Sequence, residues 1–185
     1  PPPLFFLTPT RASEILSGLV GSEMCIRDRD IPRFVSLKSD DANIRVGPSI
    51  NYPIKLKYVF QNLPLEIIDE FDVWRKSKDH EGNIGWVHKS LIKGERYIIS
   101  GDEINLDINL FSRPNGTIKG LVKNKNILEL ISCTLYWCKV SKDKVTGWVL
   151  KENIWGVYEN EMYNTKFYQP VINLYWRVLN SRLFN

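Results

Sequence analysis

Cys133 and Cys138 are the residues whose type and spacing point most directly to chemistry. They flank the segment TLYW, which has the composition of a hairpin tip. Residues on either side of a four-residue loop face one another across an antiparallel pair, at a distance that a disulfide can bridge. The spacing favours a structural disulfide, and with it an oxidising compartment. A reduced zinc half-site or a buried pair of thiols is the competing interpretation.

The remaining residues do not form a recognisable metal-binding or catalytic motif. The two histidines, His80 and His88, do not stand at ligand-like spacing to the cysteines, whereas a structural zinc site needs about four ligands. The sequence contains no HExxH motif, no glycine-rich phosphate loop and no serine elbow. We therefore expect no metal, no cofactor and no enzymatic activity.

Four tryptophans form the second group of candidate residues. Trp74 and Trp86 are 12 positions apart, and Trp137 and Trp148 are 11 positions apart. Such residues can fill a small core and its rim, or they can form the aromatic wall of a groove for an extended ligand. Together with Arg75, the four tryptophans are our candidate ligand groove, and the structural interpretation stays open beside it.

The tryptophans belong to an internal duplication. The matched segments are NIRVGP (43–48) with NLFSRP (109–114), LEII (65–68) with LELI (128–131), and GWV (85–87) with GWV (147–149). Such repeats, in one order and at nearly constant spacing, indicate two copies of one structural unit. The alignment places Glu70 and Arg75 at the positions of Cys133 and Cys138. It therefore predicts a cross-strand ion pair in the first unit where the second has its cysteines.

Each unit has the pattern of a small antiparallel barrel. Short segments such as LEIIDEF and YWCKV carry β-branched or aromatic residues, and turn-rich stretches separate them. No stretch of the two units sustains a helical period for three turns. The pattern predicts one barrel over 34–99 and a second over 100–156. The apolar first half of 96–107 is expected to continue as a strand or to pack between the two.

The motifs of the first unit resemble the bacterial Src-homology-3-like (SH3-like) domain. The resemblance is carried by NIRVGPS (43–49), VWRKS (73–77) and GWVHKSLI (85–92). The second unit keeps Trp137 and the GWV motif, but has Phe111 to Arg113 where the family has Arg-x-Gly. The pair, closed by IWG (154–156), is similar to tandem envelope proteins of alphaproteobacteria. The resemblance implies an all-β fold of two tandem small SH3-like antiparallel barrels.

The same resemblance implies a function without catalysis. It indicates a binding module of the bacterial cell envelope that recognises peptidoglycan or a protein peptide. The alternative is a structural interaction or dimerisation scaffold without affinity for the cell wall. Either role predicts a periplasmic or secreted protein, whose export signal we expect to lie upstream of this sequence.

Composition and charge bound the partners. The 185 residues are 43% hydrophobic and 25% charged, which excludes a disordered or collagen-like chain. The net charge of +4 is mild, and no strip of stacked aromatic and basic residues accompanies it. We therefore expect no nucleic-acid partner.

The two ends differ from the barrels. Residues 1–29 resemble a translated sequencing-adaptor read-through that ends in GSEMCIRDR, so we expect a non-native or disordered segment there. The tail, 157–185, is aromatic, and a short helix is predicted from Pro170. We expect it to dock onto the barrels or onto a partner, including a second copy of the chain. Alternatively it lies on a membrane surface, with Arg177 and Arg182 on its polar side.

Overall fold

The computed structural model describes residues 30–101 and 107–165, which form two antiparallel sheets. The first sheet consists of β1 (Arg33–Leu37), β2 (Ala42–Arg45), β3 (Ile54–Tyr58), β4 (Pro64–Phe71), β5 (Trp74–Lys78), β6 (Ile84–His88) and β7 (Ile92–Lys93). The second consists of β8 (Tyr97–Ser100), β9 (Ile108–Phe111), β10 (Ile118–Val122), β11 (Ile127–Cys133), β12 (Trp137–Lys142), β13 (Val145–Leu150) and β14 (Ile154–Trp155). Two single 3₁₀ turns, Lys89–Leu91 and Lys151–Asn153, precede β7 and β14.

The two sheets have the same topology. The first is ordered β3-β2-β6-β5-β4-β1-β7, and the second is ordered β10-β9-β13-β12-β11-β8-β14. Each strand of the first sheet therefore has a counterpart seven strands later. Even the bulges correspond, since one lies between Ile67 and Asp69 of β4 and the other between Leu130 and Ser132 of β11. The predicted all-β class and the duplication are confirmed.

Alternating burial builds one core for each sheet. Core 1 contains Val35, Leu37, Ala42, Ile44, Leu63, Leu65, Ile67, Val87, Ile92 and Ile99. Core 2 contains Ile98, Ile108, Leu110, Val122, Leu128, Leu130, Cys133, Cys138, Val140, Val149 and Ile154. In β12 and β13, Cys138, Val140 and Val149 enter core 2, while Trp137, Lys139, Trp148 and Leu150 between and beside them stay partly exposed. This period of two is the expected signature of a strand with one buried face.

The strand β8 serves both cores. It is hydrogen-bonded to β11 and β14 of the second sheet. Its Ile98 lies in core 2, but the neighbouring Ile99, 3% exposed, packs in core 1. Successive side chains of a strand point to opposite faces, so one strand can contribute to two cores. We propose that the boundary between the barrels lies before Tyr97 rather than between residues 99 and 100.

Residues 157–165, here called the strap, also join the barrels. Tyr163 pairs with Cys133 of β11 through two backbone hydrogen bonds of 2.8 and 3.1 Å. The hydroxyl of Tyr158 donates to Glu66 of β4 over 3.0 Å. The predicted helix from Pro170 lies outside the described residues, as do residues 1–29 and 102–106. Within the described part of the chain, no helix is long and apolar enough to cross a membrane.

Candidate functional site

The second barrel carries an aromatic face formed by β9, β12 and β13. We call it face 2, and it consists of Phe111, Trp137, Lys139, Trp148 and Leu150, all partly exposed. Trp137 is opposite Leu150, and Lys139 is opposite Trp148 in the register of β12 and β13. Trp148 is paired with Phe111 of β9. The rings of Phe111 and Trp137 meet edge to face, with centroids 5.1 Å apart.

The equivalent positions of the first barrel form a second surface, which we call face 1. Face 1 consists of Arg45, Trp74, Lys76, Trp86 and His88. The register repeats, because Trp74 is opposite His88 and Lys76 is opposite Trp86. The Trp74 and His88 rings meet edge to face at 5.4 Å. Arg45 takes the place of Phe111 and is paired with Trp86.

The two faces differ in how much aromatic surface they leave open. Trp74 is 7% exposed and Arg75 is 4% exposed, so little of either side chain is available to a ligand. Trp86, Trp137 and Trp148 remain partly exposed. Of the five groove residues predicted from the sequence, two are therefore buried and three are partly exposed. Face 2 has no buried member, so more of its aromatic surface is accessible than that of face 1.

Sequence reasoning missed three members of face 2: Phe111, Lys139 and Leu150. In the sequence, Phe111 is distinguished only by its departure from the Arg-x-Gly of the first unit. The alternation along WCKV and GWVL does contain the signal, since Lys139 and Leu150 share the outward parity of the two tryptophans. The contact of Phe111 with Trp137 depends on β9 lying beside β13, which only the sheet order reveals.

Cys133 and Cys138 form a disulfide at the tip of β11 and β12, where they are directly opposite in register. Both are fully buried. In the first barrel Glu70 and Arg75 are opposite at the equivalent point, and 3.2 Å separates Arg75 Nε from Glu70 Oε1. Arg33 of β1 also pairs with Glu70. One carboxylate thus lies between two guanidinium groups that are almost completely buried.

A polar network closes the loop between β5 and β6. Asp79, 2% exposed, accepts hydrogen bonds from the backbone of Glu81 and Asn83 and from the hydroxyl of Tyr58. Burial by itself would raise the pKa of Asp79, but the hydrogen bonds from Asn83 and Tyr58 outweigh it and hold the pKa below its usual value. Burial and the bond to Asp79 raise the pKa of Tyr58. The pair is a structural brace of this loop.

A shallow cleft of about 450 Å³ adjoins this brace, between β3 and the loop after β5. His80 lines it together with the two lysines of β3, Lys55 and Lys57. The imidazole of His80 faces Trp155 of the second barrel, with ring centroids 6.2 Å apart. Among the described residues, no group of three or more histidine, cysteine or carboxylate side chains could hold a metal ion.

Comparison with known proteins gives a family match over both barrels. The model of the bacterial SH3 domain matches residues 38–94 and 107–156. No curated protein matches the chain.

Three solved structures give weak superpositions. NlpC2 and NlpC1 from Trichomonas vaginalis are 12% and 13% identical, over 66% and 69% of this chain and 47% of each of theirs, each with a TM-score of 0.29. An NlpC/P60 family protein from Bacillus cereus is 12% identical over 65% of this chain and 55% of its own, with a TM-score of 0.30. The chain spans about half the length of these proteins.

Proposed function

This chain belongs to the bacterial SH3 domain family, and we propose that it is a non-catalytic binding module of the bacterial cell envelope. Its ligand would be peptidoglycan or a protein peptide, bound on face 2. The family consists of bacterial binding modules, many of them related to the cell wall. The buried disulfide supports a location outside the cytoplasm, because such bonds persist in oxidising compartments.

The observation that carries this proposal is the partly exposed aromatic surface of face 2. Trp137 and Trp148 lie on neighbouring strands, and Phe111 braces the first ring from the side. A braced ring loses little conformational freedom when a ligand stacks on it, which favours binding. Lys139, opposite Trp148 in register, adds a cation to this face, suited to a carboxylate of the ligand. Sugar rings and extended peptides both offer the apolar faces that tryptophans bind.

Retention of the full chain on purified peptidoglycan sacculi tests the proposal. We expect the wild type to be retained, and Trp137→Ala with Trp148→Ala to weaken retention about tenfold, which is about 1.4 kcal/mol. Phe71→Ala is the matched control, since Phe71 is 60% exposed but lies on the hairpin tip of the first barrel. Equal retention of all three proteins would place the binding surface elsewhere.

A second candidate is a scaffold that binds protein without affinity for the wall. The observation in its favour is the burial of Trp74 and Arg75. These two predicted groove residues pack within the first barrel, so they leave less surface for a wall ligand. This function predicts no retention on sacculi and a concentration-dependent dimer of the full chain in light scattering. A monomer that is retained on sacculi would eliminate it.

A further inference from the structure

Apolar side chains are concentrated in one loop of the first barrel. Between β2 and β3, Val46 is 53% exposed, Ile50 is 72% exposed and Tyr52 is 47% exposed. Ile54, the first residue of β3, is 51% exposed. We call residues 45–57 the apolar loop. Single exposed apolar residues are ordinary on protein surfaces, but a cluster of this kind marks an interaction site.

The second barrel shows that the fold does not require this cluster. There the connection between β9 and β10 reads SRPNGT (112–117), and its residues are polar apart from the proline and the glycine. The hydroxyl of Ser112 bonds the backbone of Thr117 within it. Two loops at the same topological position thus differ in surface chemistry. Ile118, the first residue of β10, is 59% exposed, just as Ile54 is exposed at the start of β3. Val46, Ile50 and Tyr52 have no apolar counterpart in 112–117 other than the proline, so these three side chains distinguish the first barrel.

Three cations flank the apolar tip in the sequence. Arg45, Lys55 and Lys57 fall in this stretch, and no Asp or Glu occurs between Asp41 and Glu66. Lys57 pairs with Asp41 at 2.9 Å, and both side chains are more than half exposed. Lys55 donates one hydrogen bond to the carbonyl of Ile84. Asp79 and Glu81 line the same cleft as the two lysines. An ammonium has three donors, so both lysines can still contact an anion.

The loop is ordered by its own contacts. The backbone N–H of Val46 donates to Pro53, and that of Tyr52 donates to Ser49. The guanidinium of Arg45 donates to the carbonyl of Tyr52 over 2.6 Å. The ring of Tyr52 covers Gly47, where a β-carbon would lie 2.7 Å from its ring carbons. The apolar side chains are therefore presented by a preformed loop, and ordering them costs little on binding.

We propose that the apolar loop binds the surface of an anionic lipid bilayer. The apolar side chains of its tip, Ile50 foremost, would enter the boundary between headgroups and acyl chains, and the cations would face the lipid phosphates. This combination of exposed apolar residues and flanking cations is the general requirement for interfacial binding. The exposed side chains of this turn suit insertion into a fluid apolar medium better than they suit the binding of a peptide of fixed shape.

Vesicle co-sedimentation of the full chain tests this. We expect binding to vesicles of phosphatidylcholine with phosphatidylglycerol, weak binding to phosphatidylcholine alone, and loss of binding as salt is raised. Ile50→Asn should lower the partition coefficient about tenfold, and Lys55→Gln with Lys57→Gln should remove the preference for anionic lipid. Leu121→Asn is the matched control, since Leu121 is 67% exposed on β10 of the other barrel.

The outcomes separate cleanly. Equal binding to both vesicle types would overturn the assignment to anionic lipid, and full binding by the Ile50→Asn protein would overturn the role of the loop. Loss of binding by the Leu121→Asn protein would do the same, by showing a non-specific response. Circular dichroism checks that each variant is folded. Because lipid-free sacculi report on face 2, the Ile50→Asn protein should be retained there like the wild type.

Discussion

The two barrels close the same hairpin tip with different residue pairs, a disulfide in one and an ion pair in the other. In the second barrel the tip of β11 and β12 is closed by Cys133–Cys138, and in the first the same register holds Glu70 opposite Arg75. The covalent closure depends on the redox state of the surroundings. The ionic closure depends on two nearly buried guanidinium groups keeping their shared carboxylate. The first barrel is thus indifferent to reductants, and the second is not.

Removing the disulfide should destabilise the second barrel. We expect Cys133→Ala with Cys138→Ala to lower the free energy of unfolding by about 2 kcal/mol, because the loop that the bond closes is short. Urea unfolding followed by circular dichroism measures this, and dithiothreitol should have the same effect on the wild type. Cys25→Ser is the control, with no expected change. Two reactive thiols beyond Cys25 in the denatured wild type would contradict the pairing.

The pairing of these residues could be predicted from the sequence because it is local. A four-residue spacing is sufficient to predict the cysteine pair, and the repeat transfers the geometry to Glu70 and Arg75. The third member, Arg33, could not be predicted in this way. It lies on β1, 37 positions from Glu70, and meets that residue only because β1 pairs with β4. Non-local contacts of this kind require the sheet order.

At the scale of elements, two glycines let the strands of each barrel approach closely. A β-carbon at Gly85 would lie 2.3 Å from the side chain of Ile44, and one at Gly147 would lie 2.5 Å from that of Leu110. Both glycines are buried at the start of the GWV motif, where β6 meets β2 and β13 meets β9. The motif therefore combines a close strand contact with an outward-facing tryptophan.

Gly147→Ala should cost about 1–3 kcal/mol of stability, the usual range for overpacking a core. It should also displace Trp148 on face 2, so tryptophan fluorescence should change along with the thermal midpoint. Gly120→Ala is the matched control in β10, because nothing lies within 4 Å of a β-carbon at that position. A thermal midpoint equally lowered in both variants would refute the close-contact explanation.

The sequence predicted the repeated pattern of strands better than their limits. The strongly patterned segments around LEII, WRKS and GWV became β4, β5 and β6. The two-residue strands β7 and β14 and the 3₁₀ turns before them carry no periodic signal of their own. Likewise, the burial of Trp74 but not of Trp137 is invisible in the motifs, which place both residues at the same register position.

At the scale of the whole molecule, an ion pair between the buried Arg96 and the partly buried Glu161 ties the strap to the barrels. Arg96, just before β8, donates to both carboxylate oxygens of Glu161 at 2.7 and 3.1 Å and to the carbonyl of Gly156. The guanidinium also lies over the rings of Phe34 and Tyr163. Residues of both barrels and of the strap therefore meet at one cation.

Stability should fall in acid through Glu161. Burial alone would raise its pKa, but the hydrogen bonds and charge of Arg96 outweigh it and hold the pKa below 4.5. A carboxyl with a lowered folded-state pKa stabilises above its ordinary pKa and loses that effect as pH falls through the lowered value. Glu161→Gln should therefore cost about 3 kcal/mol at pH 7, where it leaves Arg96 unpaired, and much less well below pH 4.

Unfolding midpoints in urea from pH 7 down to pH 2 measure this. The exposed Glu159 lies two positions earlier in the same strap, so Glu159→Gln is the control and should follow the wild type. Equal slopes for wild type and Glu161→Gln below pH 4.5 would show that another group carries the acid sensitivity.

Because β8 contributes Ile99 to core 1, we expect a substitution in this strand to destabilise the first barrel. Ile99→Ala should open a cavity in core 1 and cost about 3 kcal/mol, although β8 belongs to the second sheet. Hydrogen exchange should accelerate in β1 to β6. The neighbouring Ile98→Ala should instead accelerate exchange in β9 to β13, since Ile98 lies in core 2. Unchanged exchange in the first barrel of the Ile99→Ala protein would show that core 1 is complete without it.

Because β8 belongs to the second sheet and contributes Ile99 to core 1, each barrel depends on the other. Residues 34–96 without β8 would lack the side chain that completes their interior, and residues 97–165 alone would expose Ile99 to water. We therefore expect that neither half is stable on its own. We therefore expect the two barrels to be gained, lost and shuffled among genes as a single unit, despite having arisen from one duplicated ancestor.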